Sequence, residues 1–154
     1  MSKSEVGQLH DAVETVLRRI QKANGYHTDL GLSVHRGFWA HVVRSREAAF
    51  PAVVIHPGAE SIVKVAGSGQ AAILMVEVVL MVAVELTLDA SAYDELDCCT
   101  YDIRRAICTA REEICQVGME DGLELDEVVT GVSSDSKYAL AETAIGVRIV
   151  EKYA

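Results

Sequence analysis

Residues 76–88, VEVVLMVAVELTL, constrain the fold more than any other stretch of the chain. Every even position is apolar: Val76, Val78, Leu80, Val82, Val84, Leu86 and Leu88. The odd positions are Glu77, Val79, Met81, Ala83, Glu85 and Thr87. A period of two belongs to a β-strand and predicts one fully buried face. The second face has charges towards its ends and Val79, Met81 and Ala83 between them. Those three side chains require a cover, which is either a helix of the same domain or another protein chain.

The flanking sequence supplies both helices and partner strands. Val6, Leu9, Val13, Val16, Leu17 and Ile20 share one helical face, which predicts a helix over residues 2–23. Ser2 and Glu5 have capping-box spacing at its start, and Asn24-Gly25 supplies a stop. Residues 28–36 alternate through Leu30, Leu32 and Val34, as a first strand would. The segment 37–49 holds the only tryptophan, Arg36, Arg44 and Arg46 give it a local positive balance, and it reads as an arm, a short helix or a strand extension. Pro51 opens a strand, Ala52 to His56, that is apolar on both faces, and Pro57-Gly58 signals a turn. Residues 60–66 form a weaker strand, and Gly67-Ser68-Gly69 is a tip before the long strand, Ala72 to Leu88. At ~3.3 Å per residue that strand would span roughly 50 Å. It therefore either bends or projects with residues 60–66 as a hairpin arm.

A second helix starts at Ser91 with acids in its first turns and a core stripe of Leu96, Cys99, Ile103, Ile107, Ala110 and Ile114, ending near Gly118. Residues 119–127 read as an acidic, solvated connection. Val128, Val129 and Val132 mark a strand, residues 133–137 a polar turn, and Leu140 to Tyr153 a last strand. On that strand Thr143, Ile145, Val147, Ile149 and Tyr153 oppose Glu142, Arg148 and Lys152. The expected fold is α+β: a mostly antiparallel sheet, two helices packed on one face, and a long β-hairpin arm. At 154 residues this is one domain, residues 1–154.

The sequence offers little chemistry. Phosphate-binding loops and a nucleophile elbow are missing from it. His10, His27, His35, His41 and His56 have no ligand spacing, and no CxxC pair marks a metal site. Glu77 and Glu85 lie roughly 26 Å apart at the strand rise, too far to act as an acid–base pair. Cys98, Cys99, Cys108 and Cys115 fall in one helix, where they read as reduced, buried thiols. No catalytic residue, cofactor or metal is expected. A net charge of −9 argues against general nucleic-acid binding. Aromatic residues make up 5%, so the core is aliphatic. The longest apolar run is shorter than the ~20 residues of a membrane helix, and the polar N-terminus does not resemble a signal peptide. The expectation is a soluble chain made in the cytosol.

The layout resembles that of the phage tail terminator (tail completion) proteins, the group typified by minor tail protein U of long-tailed phages. The features that carry it are a leading helix ending near Asn24-Gly25 and an apolar strand after Phe50-Pro51 running into Gly58-Ala59-Glu60. The long strand Val76 to Leu88 then leads into the helix from Ser91, and Ser136-Lys137-Tyr138 turns into a closing strand, Ala144 to Tyr153. The resemblance covers nearly the whole chain, but none of these motifs is chemically specific. It implies a structural virion protein of the tail neck, assembled in the host cytoplasm. Such a protein forms a homo-oligomeric ring, usually a hexamer, on the tail tube. The ring ends tube polymerisation and joins the tail to the head–tail connector. DNA would pass through an acidic lumen without specific binding. The family's contact residues do not carry over position by position, so local pattern makes the assignments. Val79, Met81 and Ala83, with Glu77 and Glu85, are assigned to subunit contacts. Phe38, Trp39, Arg44 and Arg46 are assigned to the tube or a neighbour. The alternatives are a head–tail connector (neck) protein and a non-viral α+β binding or adaptor domain.

Overall fold

A computed structural model describes residues 3–44, 48–87, 91–115 and 123–153. Helix α1 spans Glu5–Arg18, and Ser4 is its N-cap, with its hydroxyl accepting the Gly7 N–H at 3.2 Å. The cap is thus Ser4; Ser2, the residue suggested by sequence, lies outside the described residues. The helix also ends before Asn24-Gly25. Residues Leu30–Leu32 form a short 3-10 turn that crosses the end of α1, and Gly31 N–H donates to the Ile20 carbonyl at 2.7 Å. Gly25, with φ +85°, instead closes a separate 3-10 turn at Lys22–Asn24.

The expected first strand shrinks to β1, Val34–Arg36, because the crossing turn consumes Leu30 to Leu32. Within segment 37–49 the described residues include a short helix, α2, Trp39–Arg44. Strand β2 then runs unbroken over Ala52–Val65, where the sequence suggested two strands and a turn. The pairing register slips between Pro57 and Glu60, and Gly58 explains how. Its backbone lies so close to that of Glu77 that any Cβ would collide with the Glu77 carbonyl. Glycine therefore lets the strand bulge and continue rather than reverse.

Strand β3 covers Ala71–Glu85, and helix α3 covers Ser91–Thr109. A separate turn of helix, α4, spans Arg111–Cys115, so the single helix expected after Ser91 is broken at Ala110. Thr109 sits at the break, its hydroxyl bonded back to the Arg105 and Ala106 carbonyls, a habit that bends helices. The acidic connection contains a strand, β4, Leu123–Leu125, ahead of β5, Val129–Val132, and β6, Tyr138–Lys152. The sheet order is β1-β2-β3-β6-β4, with β5 also on β6. All pairings are antiparallel except β1 with β2.

The even positions of β3 from Ala72 to Val84 are buried, and register places the odd positions of β6, Ala139 to Ile149, beside them. Helices α1 and α3 cover this face through Leu9, Val13, Leu17, Leu96, Ile103 and Ile107. The core stripe of α3 and α4 is buried as its spacing requires. Inside it, Asp102 is fully buried and accepts hydrogen bonds from the Thr28 N–H and hydroxyl, both at 2.8 Å, and from the His27 N–H. That carboxylate fastens the segment after α1 to α3. The architecture is therefore α+β, with the two longer helices on one face of a mostly antiparallel sheet.

Candidate assembly surface

The odd face of β3 points away from α1 and α3. Val79 and Met81 are half-exposed there, as are Ile73, Met75 and Glu77, while Glu85 is exposed. Ala83 differs: it is fully buried and cannot be a contact residue. Its cover is local. Register sets it between Ala52 and Leu140, and α2 lies over that end of the face. This also explains why Ala52 to Ile55 is apolar on both sides and wholly buried.

Trp39 belongs to this cover, and Phe38 stands beside it. The Trp39 ring meets Tyr138 edge-on at 6.1 Å, and Phe50 stacks on the same Tyr138 at 4.7 Å. The Trp39 backbone N–H donates to His56 Nε2 at 2.9 Å, and Phe38 stands edge-on to the same imidazole. Trp39 is half-buried, whereas Phe38 remains 68% exposed and can still meet a partner. Burial lowers the pKa of His56, with Glu142 opposing, which suits a ring that must stay neutral to accept. Arg44 closes α2, with its side chain outside the described part, and Arg46 lies outside the described residues. The local positive balance is in part spent on the other side of the molecule, where Arg36 pairs with Asp11 at 2.6 Å.

Beyond Gly58 the β2–β3 hairpin leaves the body. Every residue from Ala59 to Gln70 is exposed, including Ile62 at 63%, Val63 at 51% and Val65 at 53%. β1 flanks β2 only from Val53 to Ile55, so among the described residues no strand lies beside the rest of that edge. β6 accompanies β3 as far as Lys152 opposite Ala71, and there Ala72, Leu74 and Ile149 are still buried in the core, so the part of the hairpin in solvent is its β2 edge and its tip. Sequence reading marked the hairpin but missed β6 beside it and the cations that strand brings, Arg148 and Lys152. Alternation in β6 had already put both on the face away from the core; the missing information was the register that aligns β6 with β3.

The structure offers little for chemistry. Burial pushes the Cys99 thiol up to about 12, with neighbouring acids adding to the effect. Cys115 is buried and Cys98 half-buried, but Cys108 is exposed, which corrects the reading of four buried thiols. Among the described residues, no three His, Cys, Asp or Glu side chains converge to hold a metal. A depression of about 480 Å³ lies between α2 and the β5–β6 turn. Its polar groups are already engaged with each other: Ser133 donates to Asp135 at 2.6 Å, and Asp135 accepts the Lys137 N–H. These bonds hold the Asp135 carboxyl below its usual range and build the turn. Compared with known proteins, the chain matches no protein-family model and no curated protein, so its function is argued from this geometry.

Proposed function

We propose that the chain is a structural protein of a bacteriophage tail, a terminator that assembles as a ring on the end of the tail tube. The ring stops tube growth and presents a surface to the head–tail connector. The reading assigns the chain no catalytic role and places it in the neck of the virion. The observation that carries it is the exposed β2 edge of the hairpin. There the sheet runs past its helix cover, with Ile62, Val63 and Val65 largely in solvent. Large apolar side chains clustered on a protruding, partly unflanked strand mark a place where other chains add packing. The layout shared with tail terminators supplies the partner class, and a homo-oligomer, usually six copies, is its implied form.

The test is capping. The purified chain is added to tail-tube protein of the same virus during polymerisation, and tube lengths are scored by electron microscopy. Short tubes with a ring at one end are expected. Tubes of unchanged length and bare ends would overturn the proposal. A second reading, an adaptor domain that dimerises through its sheet, draws on the half-exposed stripe of Met75, Val79 and Met81. Light scattering separates the two, since the adaptor stops at two copies.

A further inference from the structure

The outer face of the sheet is charged unevenly along its strands. Near the arm's end, register aligns Lys64 with Ile73 and Val150, Lys152 with Ala71, and Arg148 with Met75. Lys64, Arg148 and Lys152 are exposed and make the arm end basic, within a chain of net charge −9. Towards the body the same face turns acidic. Glu77 and Glu124 flank Gly146, and Glu142 lies opposite Met81. The ion pairs among the described residues link Lys3, Arg18, Arg19 and Arg36 to Asp11, Glu14 and Glu113, so neither patch uses them. Val79 and Met81 lie half-exposed within the acidic part. Because Gly146 has no side chain, a notch of about 250 Å³ opens over it, bounded by Met75, Glu77, Glu124 and Asp126.

We propose that this face docks a second copy of the chain: the basic arm of one copy lies along the acidic, half-apolar mid-face of the next. The proposal rests on the self-assembly reading above and names its contact. Both patches sit on one side of a stiff, hydrogen-bonded sheet; Lys64 and Lys152 lie too far along it to reach the mid-face acids within a copy, while Arg148, two residues from Gly146, marks the boundary between the patches. Two neighbours satisfy them, one at each patch. The aliphatic stems of one neighbour's lysines and arginine pack along Val79 and Met81 while their charged ends reach Glu77, Glu124 and Glu142. One of those cations fills the notch over Gly146. Head-to-tail docking leaves an unused arm and an unused mid-face at the two ends of any open chain, which a ring closes.

Reversing charges tests the contact. One variant carries Lys64→Glu and Lys152→Glu, the other Glu124→Lys and Glu142→Lys; all four positions are exposed, and thermal melts should match the parent chain. Size by light scattering is followed against concentration and salt. Each variant alone should require on the order of a hundredfold more protein to assemble, since like charges then face each other. An equimolar mixture should recover assembly with the two kinds of copy alternating, and salt should weaken the parent assembly. Variants that assemble as well as the parent chain, or an assembly that stops at two copies, would overturn the docking. If such variants also still cap tubes, the terminator reading stands and the docking alone fails. A parent chain that stays monomeric at every concentration sinks both.

Discussion

Asp102 shows how much one side chain can organise. It is the only carboxylate among the described residues with no solvent exposure, and its oxygens collect three donors from His27 and Thr28. Replacement by alanine would leave the buried Thr28 donors without an acceptor, at a cost of about 2–4 kcal/mol. Urea unfolding should show that loss, with Asp102→Asn milder because one carbonyl oxygen remains. Sequence reading did not single out Asp102. A carboxylate about three turns into an amphipathic helix looks like surface until the segment that bonds to it is placed. Met81 and Ala83 make a second pair at this scale. They look alike in the alternation, but Ala83 is fully buried and Met81 only half-buried. Met81→Glu should therefore leave the monomer folded, within about 1 kcal/mol of the parent, while weakening assembly. Ala83→Glu should unfold it, because the carboxylate is buried with no partner. Circular dichroism melts together with light scattering distinguish the two outcomes.

Among the elements, α2 has a pH-dependent attachment. The Trp39 backbone N–H needs a neutral His56 as acceptor. Burial holds that imidazole below its ordinary value of 6.5, so the folded state favours the neutral ring. The stability contributed is full above pH 6.5 and is lost as the pH falls through the lower folded-state value. His10 and His35 shift in the same direction, each chiefly by burial, the first also by Arg36 and the second by Arg18. Because Trp39 is the only tryptophan, its emission isolates α2 from the rest of the molecule. A red shift is expected on acidification below pH 6.5. In His56→Ala the shift should already be present at neutral pH, and the profile should be flat. A flat profile in the parent chain would mean that α2 is held by its aromatic contacts alone. The elements themselves were legible where a period extended over many residues, as in α1, β3, α3 and β6. They were misread where one contact decided the outcome: the crossing at Gly31, the bulge at Gly58, and the bend at Thr109.

At the scale of the molecule, alternation fixed which face of the sheet is the core but not how the outer face is charged, since that depends on alignment between distant strands. The same alignment has a kinetic side. β2 and β3 are neighbours in sequence and can pair as a hairpin within microseconds. The other edge of β3 waits for β6, whose partners Tyr138 and Lys152 meet Glu85 and Ala71 only after α3, α4 and two further strands have intervened. Until then a long, flat, strongly apolar strand lies open along its whole length, with Val76, Val78 and Leu80 uncovered. Pairings of such separation form late and slowly. The strand that gives the finished molecule its core is therefore, during folding, its greatest liability to mispairing. Production of the chain should be limited by the arrival of β6 rather than by the stability of the completed sheet.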